Sequence, residues 1–284
     1  MQLVPGGPVQ ALGNYYSCLY GPMGSGSGLV GLSDAQWREA VQGLRRSPGS
    51  SVLRLQPLDG SSAWLAALQQ GMRAAGYWTD RFFCFGNWFQ PVPAGGYASY
   101  WAQRPSMLRN SVERGRRRLD RAGPWRIEIH SSDPQGVVRV LAAYQAVYAQ
   151  SWKAPEPCPE FMPGLVRMAA GQGWLRLGVL WLHDQPLAAQ VWLVHGAKAN
   201  IYKLAYVKGQ EKLSAGSVLT AALMQHVMDE DRVSEVDYLS GDDAYKRDWM
   251  AHRRERVGLV AFDPRSPRGL IAAARHFGGH WLRR

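Results

Sequence analysis

No apolar run in this sequence approaches the ~20 residues that a bilayer-spanning helix needs. The N-terminus has no basic segment followed by a continuous apolar stretch, so it does not read as a secretory signal. Cysteine is scarce. Cys18, Cys84 and Cys158 are an odd number without a Cys-x-x-Cys pair. They imply neither a disulfide framework nor a zinc site, and they fit a reducing compartment. The sequence also lacks a Gly-x-Ser-x-Gly nucleophile turn and a glycine loop ending in Gly-Lys-Ser/Thr. The histidines do not cluster. His276 and His280 share an i,i+4 spacing without a third ligand, so no metal is expected. Acidic side chains are outnumbered, 22 against 33 Lys and Arg, giving a net charge of +11. Such an excess points to an anionic partner: a phosphate-bearing cofactor, a nucleic acid or a membrane surface. The expectation is a soluble cytoplasmic protein, with peripheral membrane contact left open.

The 284 residues, 46% hydrophobic and 19% charged, describe a globular chain of one large domain or two ordinary ones. Its 12 Trp and 12 Tyr are generous, and such rings build cores or line clefts. Residues 1–28 are rich in Gly, Pro and Ser and read as a flexible lead-in, above all Gly21 to Gly28. Ser33 and Asp34 can cap a helix with apolar positions Trp37, Val41 and Leu44. A strand at 51–56, a helix at 63–75 closed by Gly76, and one or two aromatic strands over 77–91 follow. Beyond the basic segment 97–123, the order is β-α-α-β-β-β-α-β-α-β. Strands fall at 125–130, 174–183, 186–195, 200–207, 233–239 and 256–262, with a tight turn at Asp184-Gln185. Helices fall at 135–152, 161–170 and 217–229, and a short one opens with Tyr245, Lys246 and Trp249. Three adjacent strands, a helical crossover and a further strand make a mixed α/β sheet. Arg275 to Arg284 reads as a solvated basic tail.

Three segments carry chemistry. On a helix, Arg114, Arg117 or Arg118, and Arg121 share one face. That face is either simply solvated or binds phosphates of a nucleotide, a tRNA or a lipid-linked substrate. Interior Gly115 weakens this helix by roughly 1 kcal/mol relative to Ala. Second, strand 200–207 leads into Ser214-Ala-Gly-Ser217 and a helix near Val218. A small-residue turn at a helix start presents free N–H groups to a phosphate, although ordinary capping by Ser214 or Ser217 accounts for it equally. Third, the strand at 233–239 ends in Ser240-Gly-Asp-Asp243, followed by Tyr245, Lys246 and Trp249. Strand ends at a crossover form a ligand crevice. Lys246 there can stabilise an oxyanion, and Tyr245 can donate a proton or position an acceptor. Asp237 alternates with Tyr238, which leaves its face open. Capping by Asp242 or Asp243 beside a solvated Lys246 is the alternative.

These segments together resemble the GNAT acyltransferase superfamily. More closely, they resemble its CelD-like, cellulose-biosynthesis-type branch, related to the FemAB aminoacyl transferases. The likeness runs in order through Leu108-Arg-Asn to Gly123, Trp174-Leu-Arg-Leu, Pro186 to His195 and Ile201-Tyr-Lys-Leu-Ala-Tyr206. It continues in Ser214-Ala-Gly-Ser-Val-Leu219 and Asp237 to Trp249. It implies a GNAT fold of two packed units, the first degenerate: a lead-in at 1–28, a unit at 29–123 with the basic helix, and an acyltransferase unit at 124–284. It also implies acyl transfer to an amine or hydroxyl of a sugar or of a lipid-linked envelope or exopolysaccharide precursor. Acyl-CoA is the implied co-substrate. Lys246 is the implied oxyanion group, with Tyr245 and Asp237 as catalytic partners. Ser214, Gly216, Ser217 and Val218 would hold the donor, and Tyr202, Lys203, Asp242, Arg114, Arg117 and Arg118 would hold the substrate. Acetyl-CoA enzymes of the superfamily carry Arg/Gln-x-x-Gly-x-Gly/Ala before this helix. Here Gln210-Glu-Lys212 precedes Ser214-Ala-Gly-Ser217. An aminoacyl-tRNA-dependent transferase and a non-catalytic binding module are the alternatives.

Overall fold

The computed structural model describes residues 2–3, 7–21 and 33–281. From Pro22 onward, the expected glycine-rich loop lies outside the described residues. In chain order the elements are β1 (Gln2–Leu3), β2 (Val9–Gln10), α1 (Asp34–Arg45), β3 (Val52–Asp59), α2 (Ala63–Ala74) and β4 (Trp78–Pro91). Next come α3 (Gly96–Ala102), α4 (Ser106–Ala122), β5 (Trp125–His130), α5 (Pro134–Ala149), α6 (Phe161–Gly171), β6 (Leu175–Leu182), β7 (Gln185–His195) and β8 (Lys198–Tyr206). The chain closes with α7 (Ala215–Gln225), β9 (Glu235–Asp237), α8 (Lys246–Trp249), β10 (His252–Phe262) and α9 (Pro267–Trp281). This is the expected mixed α/β architecture.

Two compact units emerge: Met1–Asn87 with Arg254–Arg284, and Trp88–Arg253. This division differs from the expected boundaries at 28 and 123. The basic helix α4 belongs with the second unit because Leu108, Val112 and Leu119 sit in that unit's core. The last segment returns to the first unit because β10 pairs antiparallel with β3.

In the first unit, Ser33 caps α1 in a reciprocal box with Gln36, as its Ser-x-x-Gln spacing dictates. Trp37 and Val41 of α1 and Leu65 and Met72 of α2 pack with Leu53 and Leu55 of β3 and Leu259 of β10. Residues 7–21 are not all a loose lead-in. Val9 is buried and pairs in parallel with Leu53. The expected basic tail is helix α9 as far as residue 281, with Ala273 buried against Val260 and Phe262. His276 is held by Asp80 at 2.7 Å, and no metal-ligand cluster exists among the described residues.

The second unit is built on β5–β6–β7–β8, all antiparallel neighbours. The β6–β7 turn falls on His183 and Asp184, both at positive φ, one residue earlier than expected. That conformation matches the right-handed twist of a two-residue hairpin. Strand β6 is buried on both faces, as its unbroken apolar sequence predicts. Leu175, Leu177 and Val179 meet α5 and α6, whereas Leu180 joins α4 and α7 on the opposite face. Gly178 leaves room there for Leu223 of α7, whose Cδ1 would stand 2.9 Å from an added Cβ and would have to shift. Strand β9 is shorter than the apolar run 233–239 suggests. It pairs in parallel with β8 only at Lys198–Asn200, and the last turns of β4 flank its other side.

Candidate active site

The parallel pair β8–β9 is what opens the site. After Asn200 and Asp237 the two strands have no further shared hydrogen bonds, yet β8 continues to Tyr206. The gap between the parting strands is a cleft of about 550 Å³. Leu204 and Tyr206 of β8 form one wall, and Tyr238, Tyr245 and Trp249 form the other. Helix α4 contributes Leu108 and Ser111, and the α5–α6 connection contributes Trp152. Trp152 packs on Tyr206 with ring centroids 4.4 Å apart.

The floor is the first turn of α7. Ser214 is left-handed, at φ 52, and its side chain makes no cap. The N–H groups of the first turn have no partner inside a helix. Gly216 and Ser217 of this turn line the cleft. A side chain at Gly216 would meet the Tyr206 ring at 3.3 Å, so glycine lets ring and helix start lie in contact. Beneath them, buried Gln190 of β7 donates to Gly216 O at 3.0 Å and Thr220 Oγ1 at 2.8 Å, and accepts from Trp192 Nε1 at 2.9 Å. Thr220 Oγ1 donates to Gly216 O at 2.9 Å. This network fixes the turn to the sheet through otherwise costly buried polar groups.

Helix α4 clamps the same turn. Gly115 is buried, and a Cβ there would meet Val218 Cγ2 at 2.9 Å, Ser214 Cβ at 3.0 Å and Leu213 O at 3.1 Å. The glycine that weakens α4 is therefore what allows it to approach α7. Arg118 Nη1 donates to Lys212 O at 2.6 Å. Arg118, Arg121 and Lys212 line a shallow hollow beside Leu213. Arg114 and Arg117 are exposed on the outer side of α4, with Arg117 3.8 Å from Glu113. Val218 is fully buried and its N–H bonds Ser214 O, so it supports the turn and offers no donor to a ligand.

The residues after β9 divide sharply. Tyr245 lines the cleft and meets Tyr238 edge-on, centroids 5.9 Å apart. Neither hydroxyl has a hydrogen-bond partner among the described residues. Burial pushes both phenols up, and the Asp243 charge adds to this at Tyr245. Both are therefore protonated donors at neutral pH. Lys246 lies elsewhere than its sequence position suggests. It is 5% exposed and does not line the cleft. Its Nζ donates to Ser240 O at 2.6 Å and Gly241 O at 3.2 Å, and pairs with Asp243 at 3.0 Å. It staples the loop that presents Tyr245.

Asp237 is wholly buried and turned to Lys198, 2.6 Å away, while accepting from Leu239 N. Asp242 accepts from Trp88 Nε1 at 2.7 Å and pairs with Arg253 at 2.6 Å. It does not cap α8. Tyr202 packs with the α5–α6 core, and Lys203 pairs with Glu156 at 2.7 Å. None of these four lines the cleft. Of the residues expected from sequence, the cleft gathers Tyr245, Gly216 and Ser217, with Ser214 beside them.

Sequence reasoning passed over Gln190, Thr220, Trp152, Tyr206, Tyr238 and Asp248. Gln190 carried a signal, as a polar residue inside the apolar strand 187–194. Lys153 was also missed. Its Nζ stands 5.7 Å from the Trp152 ring, with no ion pair among the described residues. Burial, then the charges of Lys203 and Lys246 against those of Glu156 and Asp243, holds its amine down to about 8.

Comparison with known proteins agrees with this arrangement. The family described as "Acetyltransferase (GNAT) domain" matches residues 106–247, half of the chain, from the start of α4 into α8. No protein of curated function matches the chain in sequence. Among solved structures, FemX superposes with a TM-score of 0.58 at 10% identity, over 79% of this chain and 75% of FemX. The C-terminal domain (DUF2156) of a protein from Agrobacterium fabrum, named for lysylphosphatidylglycerol synthetase, gives 0.55 at 14% identity, over 80% and 72%. A conserved Bacteroides thetaiotaomicron protein of unknown function gives 0.56 at 6% identity, over 81% and 75%. At such identities the likeness is one of fold. With half its length matched, the chain belongs to the GNAT acetyltransferase family.

Proposed function

We propose that this protein is an acyltransferase whose reaction takes place in the cleft between β8 and β9. The observation that carries the reading is the parting of a parallel strand pair over an uncapped helix start. Free N–H groups and the positive end of the helix suit a donor's phosphates. Gly216 and Ser217 would hold them, with Arg118, Arg121 and Lys212 supplying positive charge beside them. The acyl carbonyl then lies between Tyr206 and the Tyr238–Tyr245 pair. An acceptor amine or hydroxyl attacks that carbonyl, and its proton leaves to water or a nearby base. Tyr245, a phenol protonated at neutral pH, donates to the developing oxyanion or to the leaving group. Lys246 acts through the loop it staples, which sets the position of Tyr245.

Acyl-CoA is the donor we infer first. The second reading is an aminoacyl-tRNA, favoured by the arginines of α4 and by the fold likeness to FemX and to the domain named for lysylphosphatidylglycerol synthetase. A sugar or lipid-linked precursor of an envelope or exopolysaccharide polymer is the acceptor class suggested by the CelD-like resemblance. Calorimetric titration with acetyl-CoA, free CoA and an aminoacyl-tRNA tests the assignment. Saturable one-site binding of a donor, lost in Gly216→Val and retained in Lys246→Met, is the expected result. Absence of binding by all three would overturn it.

A further inference from the structure

The cleft is poor in charge. Among the described residues that line it, Asp248 is the one with a charged side chain. Its carboxylate has no ion pair and no hydrogen bond within the described residues, although the residue is partly buried. None of the nearby cations pairs with it: Lys153, 5.7 Å from the Trp152 ring, makes no ion pair among the described residues, and two others are committed elsewhere. Lys246 is bound to Ser240 O, Gly241 O and Asp243, and Arg104 donates to Trp249 O at 3.1 Å. In a chain with 33 basic side chains against 22 acidic ones, an uncompensated carboxylate in an aromatic cleft stands out. A charge withdrawn from water is costly unless a partner of opposite sign meets it. The surrounding lining supplies rings: Trp152, Tyr206, Tyr238, Tyr245 and Trp249. Aromatic faces attract organic cations and reject organic anions.

We propose that Asp248 makes this cleft selective for a ligand bearing an alkylammonium group. The ammonium pairs with the Asp248 carboxylate and its carbon chain packs against the rings. This rests on the reading of the cleft as the transferase site, and it narrows the acceptor from an amine or hydroxyl to a compound that arrives as an organic cation. Asp248 is then a specificity-determining residue. An ammonium has no lone pair. If the held nitrogen is the attacking one, its proton passes to the carboxylate or to water before the C–N bond forms, and the donor's leaving group departs with the electrons of the broken acyl bond.

The test uses the full chain without any acyl donor. 4-Phenylbutylamine and its neutral counterpart 4-phenylbutanol are titrated against wild type, Asp248→Asn and Asp248→Glu at pH 7. Wild type should prefer the amine by about tenfold, the worth of one charge-assisted hydrogen bond. Asp248→Asn should lose that preference with its binding of the alcohol unchanged, and Asp248→Glu should keep most of it. Equal binding of amine and alcohol by wild type overturns the proposal. So does a preference that survives in Asp248→Asn, or the absence of amine binding at millimolar concentration. Failure of the donor titration described above would sink the transferase reading without touching this result.

Discussion

Replacing Lys153 by Met should stabilise the protein, and by an amount that depends on pH. Lys153 is half-buried beside Trp152, with Lys203 and Lys246 as like charges and Glu156 and Asp243 as opposite ones. Its amine falls from the ordinary 10.5 to about 8. In the limit of full desolvation that difference is worth about 3 kcal/mol. Partial exposure and solvent screening reduce it to about 1–2 kcal/mol. The sign follows from proton counting. Between about pH 8 and 10.5 the unfolded chain holds a proton that the folded chain has released, so stability rises with pH across that window. Below about pH 8 both states are protonated, and the folded state bears the full cost of a crowded charge. Lys153→Met keeps the apolar stem and removes the charge. Its melting temperature should exceed that of wild type by about 2–6 °C at pH 7. The gap should close as pH approaches 10.5. Scanning calorimetry of both proteins from pH 7 upward reads it directly. A difference that stays constant with pH, or a variant less stable at pH 7, would refute the reasoning.

Two further substitutions probe how the helix start is held. Gly115→Val gains helix propensity but drives a side chain into Val218, Ser214 and Leu213. The overpacking should outweigh the gain, costing about 1–3 kcal/mol by denaturant titration and weakening donor binding several-fold. Gln190→Leu leaves the buried Trp192 Nε1 without its acceptor and frees Gly216 and Thr220 from the sheet. A loss of about 2–4 kcal/mol in urea unfolding is expected, with donor affinity falling further than in a control such as Val138→Ala. An unchanged midpoint would show that the network carries no weight.

Much of this fold was legible in the sequence because its patterns are local. Ser33 with Gln36, Gly76 after α2, and the unbroken apolar runs of β6 and β7 each announce their element. Pairing decides the rest. The run 233–239 has strand composition throughout, yet only Glu235 to Asp237 finds a partner strand, because β8 and β9 separate where the cleft opens. The segment 275–284 is dense in charge and suggests a tail, but Ala273 and its neighbours give α9 a face to bury. The turn at Gly216 and Ser217 and the phenol of Tyr245 were readable from position along the chain. Lys246 shows the limit of that reading. Its place after a strand suits an oxyanion group, but Gly241 at φ +94 folds the loop back so that two carbonyls and Asp243 take its ammonium. Asp248 lay in the same motif and drew no notice, because having no partner is a property of the folded surroundings. Gly115 read as a flaw in a helix until the approach of α7 gave it a reason.

The central claim is that donor phosphates rest on the first turn of α7 while the reacting carbonyl lies near Tyr245. Amide hydrogen exchange with and without saturating CoA tests it most directly. The account predicts slowed exchange at residues 213–218, with a smaller effect at 238–249, and no change in the helices α1 and α2. Protection absent from 213–218, or concentrated in α1 and α2, would contradict it.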